Sequence, residues 1–305
     1  METKTFDTFV KEKINKLNLI KTITGILSAS VRISKILSIY PNKKDTDVKY
    51  KINNSGDIQK KLDVVSHNIL VDELMKCGCV NIIGSEEHDY PIRLATREKE
   101  NYCVVFDPLD GSSNIDCSGG VGTIFGIYKS ELRSNLGTLL QKGKKLIIAG
   151  YILYSSSTIA VLNLNEKVYS FTLDRETGKF LLDDEEGLKF PKNPQKIISV
   201  NYGNLNQWPE NTKKYFLNKL DDHNLRYSGG MVPDLHRIFL YGGIFAYPSD
   251  KLRLVYECNP ISFLAEKLGF QSTSENIKIL EISPEKLHQK ISIIVKKNKK
   301  IVNKK

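Results

Sequence analysis

Asp107 and Asp110 sit three residues apart in Phe106-Asp107-Pro108-Leu109-Asp110-Gly111-Ser112-Ser113-Asn114, the segment with the most chemical potential in the chain. Hard divalent cations take several oxygen ligands, and Mg²⁺ is commonly held by carboxylates together with substrate phosphates. The two aspartates and the Leu109 carbonyl could supply such ligands. Gly111, Ser112 and Ser113 are small enough to let amide N–H groups approach an anion closely. An Asp-Pro turn followed by an Asp/Ser helix cap is the alternative reading of the same residues. A second acidic pair, Glu86-Glu87, directly follows the apolar run Val80–Gly84 and its Ser85. Successive side chains of an extended chain point to opposite sides, so one glutamate can face a metal while the other faces water or a second metal. A third apolar run, Leu252–Tyr256, ends in Glu257. Strand ends finishing in carboxylate would put Glu86, Asp107, Asp110 and Glu257 at one sheet edge, where ligands bind in α/β folds. Repulsion makes such a cluster costly without cations.

Basic and aromatic residues form the complement. Arg226-Tyr227 precedes Ser228-Gly229-Gly230-Met231, and Tyr247-Pro248 precedes Lys251 and Arg253. Period-two alternation gives Lys251 and Arg253 one strand face. Arginine and lysine clamp phosphate and tyrosine can donate to it, although exposed surface charge would read the same way. Competing patterns fail on spacing. There is no Walker A sequence and no His-Glu-x-x-His pair. The third glycine after Gly120-Val121-Gly122 falls one position late for a dinucleotide fingerprint, and Cys77-Gly78-Cys79 has no second cysteine pair to complete a zinc site. His236 and His288 read as structural.

Positioning these groups requires layered elements. Helical spacing runs through residues 10–39, and the polar stretch from Pro41 to Gly56 reads as a long mobile loop closed by Asp57. Leu62, Val65 and Ile69 mark a further amphipathic helix with Asp63 early on it. Strands are expected at Val80–Gly84, Tyr102–Phe106, Thr123–Tyr128, Leu146–Leu153, Thr158–Leu164, Val168–Leu173 and Lys179–Leu182, with a hairpin turn at Asp174–Gly178. Val232–Tyr241 reads as helix, Leu252–Tyr256 as strand and Pro260–Leu268 as helix. Helix pairs first and sheet-rich segments after make a layered α and β protein.

The 305 residues, 40% hydrophobic and 26% charged, suffice for a sizeable core. No single apolar run reaches bilayer-spanning length. The start, Met1-Glu2-Thr3-Lys4-Thr5-Phe6-Asp7, reads as neither a secretory signal nor a transit peptide. Five scattered cysteines argue against a disulfide framework and for a reducing, cytoplasmic setting. The net charge of +10 suits an anionic partner such as a phosphate ester. The Lys-rich end, residues 296–305, lacks the aromatic residues a nucleic-acid grip would use. Neither a nucleic-acid nor a membrane partner is expected.

Taken together, these segments resemble the class I fructose-1,6-bisphosphatase family of the lithium-sensitive, metal-dependent sugar phosphatases. The resemblance rests on Gly84–Glu87, Phe106–Asp116, Gly56-Asp57 with Lys60–Val64, Tyr241–Phe245 with Tyr247-Pro248, and Lys251–Leu254 with Tyr256–Pro260. It implies an α/β (α+β) fold, a five-layered α/β/α/β/α sandwich. Residues 1–190 would form a metal-binding half and 191–305 a sugar-phosphate half of one compact unit. Two or three Mg²⁺ or Mn²⁺ ions would bind Glu86, Asp107, the Leu109 carbonyl, Asp110 and Glu257, with Asp57 joining from its loop. Asp63 and Glu87 would orient and deprotonate the attacking water, while Asp110, Gly111, Ser112 and Ser113 would hold the phosphate being cleaved. Asn201, Arg226, Tyr227, Tyr247, Lys251 and Arg253 would hold the second phosphate, Arg226 reaching in from a neighbouring subunit of a homo-oligomer, tetramer or dimer. Gly230 and Met231 would meet the sugar hydroxyls. The family's phosphate-binding tyrosine falls on Asn204 here. The expected reaction is hydrolysis of the 1-phosphate of fructose 1,6-bisphosphate. The string Arg226–Asp234 is closer to sedoheptulose-1,7-bisphosphatases, which keeps that substrate or a dual specificity as the alternative. A non-catalytic scaffold or nucleic-acid-binding module is the alternative of a different class.

Overall fold

The computed structural model describes residues 3–39, 58–96, 101–131 and 135–298. Its helices are α1 (Phe6–Lys13), α2 (Leu17–Ile39), α3 (Ile58–Cys77), α4 (Asn135–Leu139), α5 (Glu210–Leu217), α6 (Met231–Tyr241) and α7 (Asn259–Lys267). The strands are β1 (Val80–Ser85), β2 (Ile92–Arg93), β3 (Tyr102–Asp110), β4 (Val121–Lys129), β5 (Ile148–Tyr154), β6 (Thr158–Leu164), β7 (Lys167–Asp174) and β8 (Lys179–Leu182) in one sheet. A second sheet holds β9 (Ile197–Ser199), β10 (Asn224–Leu225), β11 (Ile244–Arg253), β12 (Phe270–Ser274), β13 (Ile277–Lys278) and β14 (Lys290–Lys297). The eight-stranded sheet runs in the order β2-β1-β3-β4-β5-β6-β7-β8, parallel only between β1 and β3. The six-stranded sheet runs β10-β9-β11-β14-β12-β13 and is likewise mixed, with β9 parallel to both β10 and β11.

Five layers result. Apolar residues of α1, α2 and α3 share a core with one face of the large sheet, and α6 and α7 fill the space between the two sheets. The outer face of the small sheet is covered by α5 and its approach, where Trp208 and Phe216 pack on Ile198 and Ile244. The central cluster draws on both halves of the chain, setting Val105 and Ile124 against Leu254, Ile261 and Phe270. A sheet covered on both faces needs strands that are apolar throughout rather than alternating. The nine residues of β3 are accordingly all buried.

The structure departs from the sequence reading in several places. Helical spacing over residues 10–39 resolves into α1 and α2, separated at Ile14–Lys16. α1 is started by Thr5, whose side chain accepts from the Thr8 N–H at 3.4 Å. At 23 residues α2 is long and apolar enough, by length and composition, to cross a membrane. Sequence inspection misses this because threonine, serine and charged residues break its apolar run. Half of the stretch is buried inside the fold against α3 and the large sheet. Of the expected strand Leu252–Tyr256 only Leu252 and Arg253 are strand: β11 ends at Arg253 and the chain winds through one π-helical turn, Leu254–Cys258, into α7. Such turns recur at functional sites, because they insert a residue and re-aim its side chain. The expected loop over 41–56 and Asp57 lie outside the described residues.

Candidate active site

Asp107 and Asp110 are separated by an odd number of positions, so in a regular strand they would face opposite sides of the sheet. The strand is not regular there. Asp107 pairs with Ile124 but Asp110 with Gly122, so β3 carries one extra residue between them. A bulge of this kind turns both carboxylates into the same cleft. Proline fits the bulge because it has no N–H to lose from the ladder. The Asp107 Oδ1 accepts the Leu109 N–H at 2.9 Å, and Thr123 Oγ1 donates to the Pro108 carbonyl at 2.8 Å. The strand therefore does not stop at Phe106; it runs on to Asp110.

Asp110 has a second task. Gly230, at the N-cap of α6, has no side chain to cap the helix. The Asp110 Oδ2 takes over, accepting the Val232 N–H at 2.7 Å from the other half of the chain. A carboxylate is favoured at a helix N-terminus, where amide donors lack partners. The contact is close: a Cβ on Gly111, whose φ is +74°, would lie 3.0 Å from the Gly230 Cα.

Glu86 follows β1 and donates its N–H to the Phe106 carbonyl at 3.2 Å. Glu257 sits in the π-helical turn, held by the Arg253 N–H, which donates to its carboxylate. One carboxylate oxygen each of Glu86, Asp107 and Glu257 lie within 4.8 Å of one another. Asp107 and Glu257 are almost fully buried, at 4% and 5% exposure. Burial first, then the charge of Glu86, pushes both well above the usual carboxylate range. Burial likewise raises Glu86, and it pushes Asp110 up to about 7 against the pull of the Val232 and Met231 amides. Protons are in effect drawn in to relieve the crowding, a demand that hard cations on oxygen ligands also meet. The donor set therefore fits a hard divalent cation.

The cleft is about 290 Å³ in volume. It brings together Asp63, Glu86, Glu87, Asp107, Leu109, Asp110, Gly111, Ser112, Ser113, Tyr227, Gly230, Met231, Tyr247, Lys251, Arg253 and Glu257. Lys251 places its ammonium 5.7 Å from the centre of the Tyr247 ring. Arg253 spans the cleft, its Nη2 lying 3.4 Å from Glu86 Oε1, while its Nε is buried without a hydrogen-bond partner. Among the described residues, two expected ones are not in the lining. Asn201 caps the turn Tyr202–Gln207 by accepting the Gly203 N–H at 2.9 Å, and its side chain hydrogen-bonds the Tyr227 hydroxyl. Arg226 is exposed and donates to the Leu225 carbonyl at 2.8 Å. Asp57 lies outside the described residues. Tyr202, near Asn204 where the resembling family has its tyrosine, commits its hydroxyl to the Phe216 carbonyl at 2.9 Å.

Other lining residues do not stand out in the sequence. Phe245 and Leu252 form apolar walls, and such residues carry no chemical signature. Gly229 lines the cleft at a φ of +87°. Asp234 is the more instructive omission. Fully buried in the first turn of α6, it accepts the Ser228 N–H with both oxygens at 3.1 and 3.0 Å and pairs with Arg237 at 3.1 Å. It thereby ties down the loop that presents Tyr227, Gly229 and Gly230. An acidic residue in a first helical turn normally reads as a macrodipole partner, so only packing reveals this role.

The fructose-1-6-bisphosphatase N-terminal domain matches residues 4–185, and the C-terminal domain of the same family matches residues 191–304. The chain belongs to the fructose-1,6-bisphosphatase family. It is 41% identical to a chloroplastic fructose-1,6-bisphosphatase of Brassica napus, over 90% of this chain and 73% of that one. It is 43% identical to a cytosolic fructose-1,6-bisphosphatase of Oryza sativa subsp. indica, over 80% of this chain and 75% of that one. Relatives thus come from both compartments. Among solved structures, the holo form of Leishmania major fructose-1,6-bisphosphatase superposes with a TM-score of 0.88 at 32% identity, covering 99% of this chain and 98% of that one. The mixed α/β layers and two mixed sheets are the sugar phosphatase fold.

Proposed function

We propose that the chain is a divalent-metal-dependent phosphatase that hydrolyses the 1-phosphate of fructose 1,6-bisphosphate, releasing fructose 6-phosphate and inorganic phosphate. The observation that carries this reading is one cleft in which the carboxylates of Glu86, Asp107 and Glu257 stand together with Tyr247, Lys251 and Arg253, side chains suited to phosphate. Its volume lies near the lower end of small-molecule pockets, which suits a compact, highly charged substrate. The Leishmania and plant relatives, each named fructose-1,6-bisphosphatase, support the choice of sugar.

Glu86, Asp107, the Leu109 carbonyl, Asp110 and Glu257 would hold two or three Mg²⁺ or Mn²⁺ ions, Asp57 adding a ligand from its loop. Bound there, the cations would acidify water and offset charge on the phosphate oxygens. The chain's own groups do the rest. Gly111, Ser112 and Ser113 offer N–H donors to the phosphate being cleaved, where amides cost no reorganisation as charge builds. Asp63 and Glu87 orient the attacking water and take its proton. Tyr227, Tyr247, Lys251 and Arg253 hold the second phosphate, so that binding energy far from the reacting bond serves the chemical step. Gly230 and Met231 meet the sugar hydroxyls. Arg226, exposed and outside its own cleft, serves that of a neighbouring subunit in a dimer or tetramer, with Asn201 acting through Tyr227. The metal-binding half spans residues 1–190 and the sugar-phosphate half 191–305. None of the five cysteines is in a disulfide, which suits a cytoplasmic enzyme of gluconeogenesis.

A seven-carbon substrate is the second reading, because the string Arg226–Asp234, which lines the cleft with Tyr227, Gly229, Gly230 and Met231, is closer to sedoheptulose-1,7-bisphosphatases. The test is steady-state phosphate release from fructose 1,6-bisphosphate and sedoheptulose 1,7-bisphosphate, with Mg²⁺ and with EDTA. A kcat/KM ratio favouring the seven-carbon sugar would reverse the ranking. No release from either sugar, in wild type or in Asp110→Ala, would point instead to a binding module.

A further inference from the structure

α3 carries Asp63 and His67 one turn apart, so the two side chains share a helix face. His67 is buried, and its Nδ1 lies 2.7 Å from the Oγ of Ser85, the fully buried last residue of β1. The Glu87 backbone N–H donates to that same Oγ at 3.3 Å. A serine hydroxyl has one proton to give and two lone pairs to receive. With the Glu87 N–H arriving as donor, the hydroxyl keeps one proton and one lone pair, and either can meet Nδ1, so the bond joins ring and hydroxyl in either neutral tautomer. Burial pushes the imidazole down to about 4, with the nearby His88 adding to the effect. The ring cannot turn freely: it packs 5.9 Å from Phe106 and stacks parallel to His88 at 6.2 Å, the ring planes 3° apart.

We infer that His67, acting through Ser85, is a positioning residue that sets the Glu87 carboxylate against Asp63 in the cleft. One helix would then fix both members of the water-activating pair, Asp63 directly and Glu87 through the hydrogen-bonded chain. This rests on the roles given to Asp63 and Glu87 under the proposed function. Nothing in the pattern Gly84-Ser85-Glu86-Glu87 announces the histidine partner, which lies 18 residues earlier.

The test compares His67→Phe, which keeps a ring but loses the hydrogen bond to Ser85, with His67→Asn, whose amide falls near the Nδ1 position and can donate or accept. Ser85→Ala serves as a second route to the same loss should His67→Phe not fold, with near-UV circular dichroism and Tm recorded for each. Misplacement of a reacting group by about 1 Å costs up to about 10²-fold, so kcat of His67→Phe should fall about 10-fold with KM for fructose 1,6-bisphosphate held within about twofold. His67→Asn should recover most of the loss. In a Glu87→Gln background His67→Phe should cost nothing further, because residues acting through one group are not additive. An unchanged kcat, a loss confined to KM, or an equal loss in the Glu87→Gln background would overturn the tie. Wild-type kcat in Glu87→Gln itself would sink the reading of Glu87, and the tie with it. A disabled Glu87→Gln beside an unaffected His67→Phe would sink the tie alone.

Discussion

Replacing Asp107 with asparagine should make the metal-free protein more stable while destroying its response to metal. The Asp107 carboxylate lies within 4.8 Å of both the Glu86 and Glu257 carboxylates. At an effective dielectric of about 20, each such pair repels by about 3.5 kcal/mol when both groups are ionised. Proton uptake limits the damage. Protonating an aspartate of ordinary pKa at pH 7 costs about 4 kcal/mol, so the metal-free penalty traceable to Asp107 is about 2–4 kcal/mol. Asparagine is nearly isosteric, carries no charge, and keeps an oxygen to accept the Leu109 N–H that Asp107 now accepts at 2.9 Å. For a chain of 305 residues each kcal/mol moves Tm by about 1.5 °C, so in EDTA the variant should melt about 3–6 °C above wild type. Millimolar Mg²⁺ should then raise the wild type by a comparable amount, since a ligand at about 100 times its Kd stabilises by about 2.7 kcal/mol. The variant should barely respond and should lose Mg²⁺-dependent phosphate release. Differential scanning calorimetry at pH 7, with EDTA and with Mg²⁺, reads both effects. A variant that melts below wild type in EDTA, or keeps the full Mg²⁺ shift, would refute the account of the cluster as a repulsive, cation-requiring site.

Lys251→Ala should raise KM for fructose 1,6-bisphosphate about 10- to 100-fold, the worth of one charge-assisted hydrogen bond to phosphate, and leave Tm within about 2 °C. A KM unchanged by the substitution would remove Lys251 from the phosphate site. Gly122→Ala should destabilise by about 1–3 kcal/mol, because its Cβ would lie 2.5 Å from the branched side chain of Val232. Since Val232 donates its N–H to Asp110, KM should rise together with the fall in Tm. His236 supplies a pH dependence. Burial pushes its imidazole down to about 4, and its Nδ1 lies 2.9 Å from the Tyr151 hydroxyl. A folded pKa below the unfolded one means the unfolded chain binds the extra proton. Stability is therefore intact above about pH 6.5 and lost as pH falls towards 4, by up to about 3 kcal/mol. Urea unfolding of wild type and His236→Asn in the presence of Mg²⁺ should show the stability difference shrinking over that interval. A difference independent of pH would contradict it.

Much of the site is legible because carboxylates placed directly after apolar runs are costly to bury unless they serve a ligand. Glu86 follows β1 as expected; Lys251 and Arg253 both reach the cleft, but so does Leu252 between them, so alternation is not what brings them there. Glu257 reaches the site by a different route from the one its sequence suggests. Its preceding residues are mostly apolar, yet after Leu252 and Arg253 have paired with β14 the chain winds into a π-helical turn, in which the Arg253 N–H donates to the Glu257 carboxylate. Asn201 and Arg226 look like cleft residues in sequence, but neighbouring backbone groups engage both side chains locally. The length of α2 is hidden because a helix needs an apolar face rather than an unbroken apolar run.

The amino-acid sequence alone determined which side chains could do this chemistry, which runs of residues would be buried, and, through long matching segments, the family. Those properties are local: a carboxylate is an oxygen donor and Val80–Gly84 is apolar wherever the chain puts them. Tertiary structure decided how the carboxylates meet. One extra residue in β3 brings Asp107 and Asp110 to the same side, Asp110 caps the helix that begins at Met231, and Ser85 is held by a histidine from another element. Side-chain direction depends on register, and hydrogen-bond partners depend on which elements pack together. Both are set by long-range pairing that no local pattern of residue types encodes.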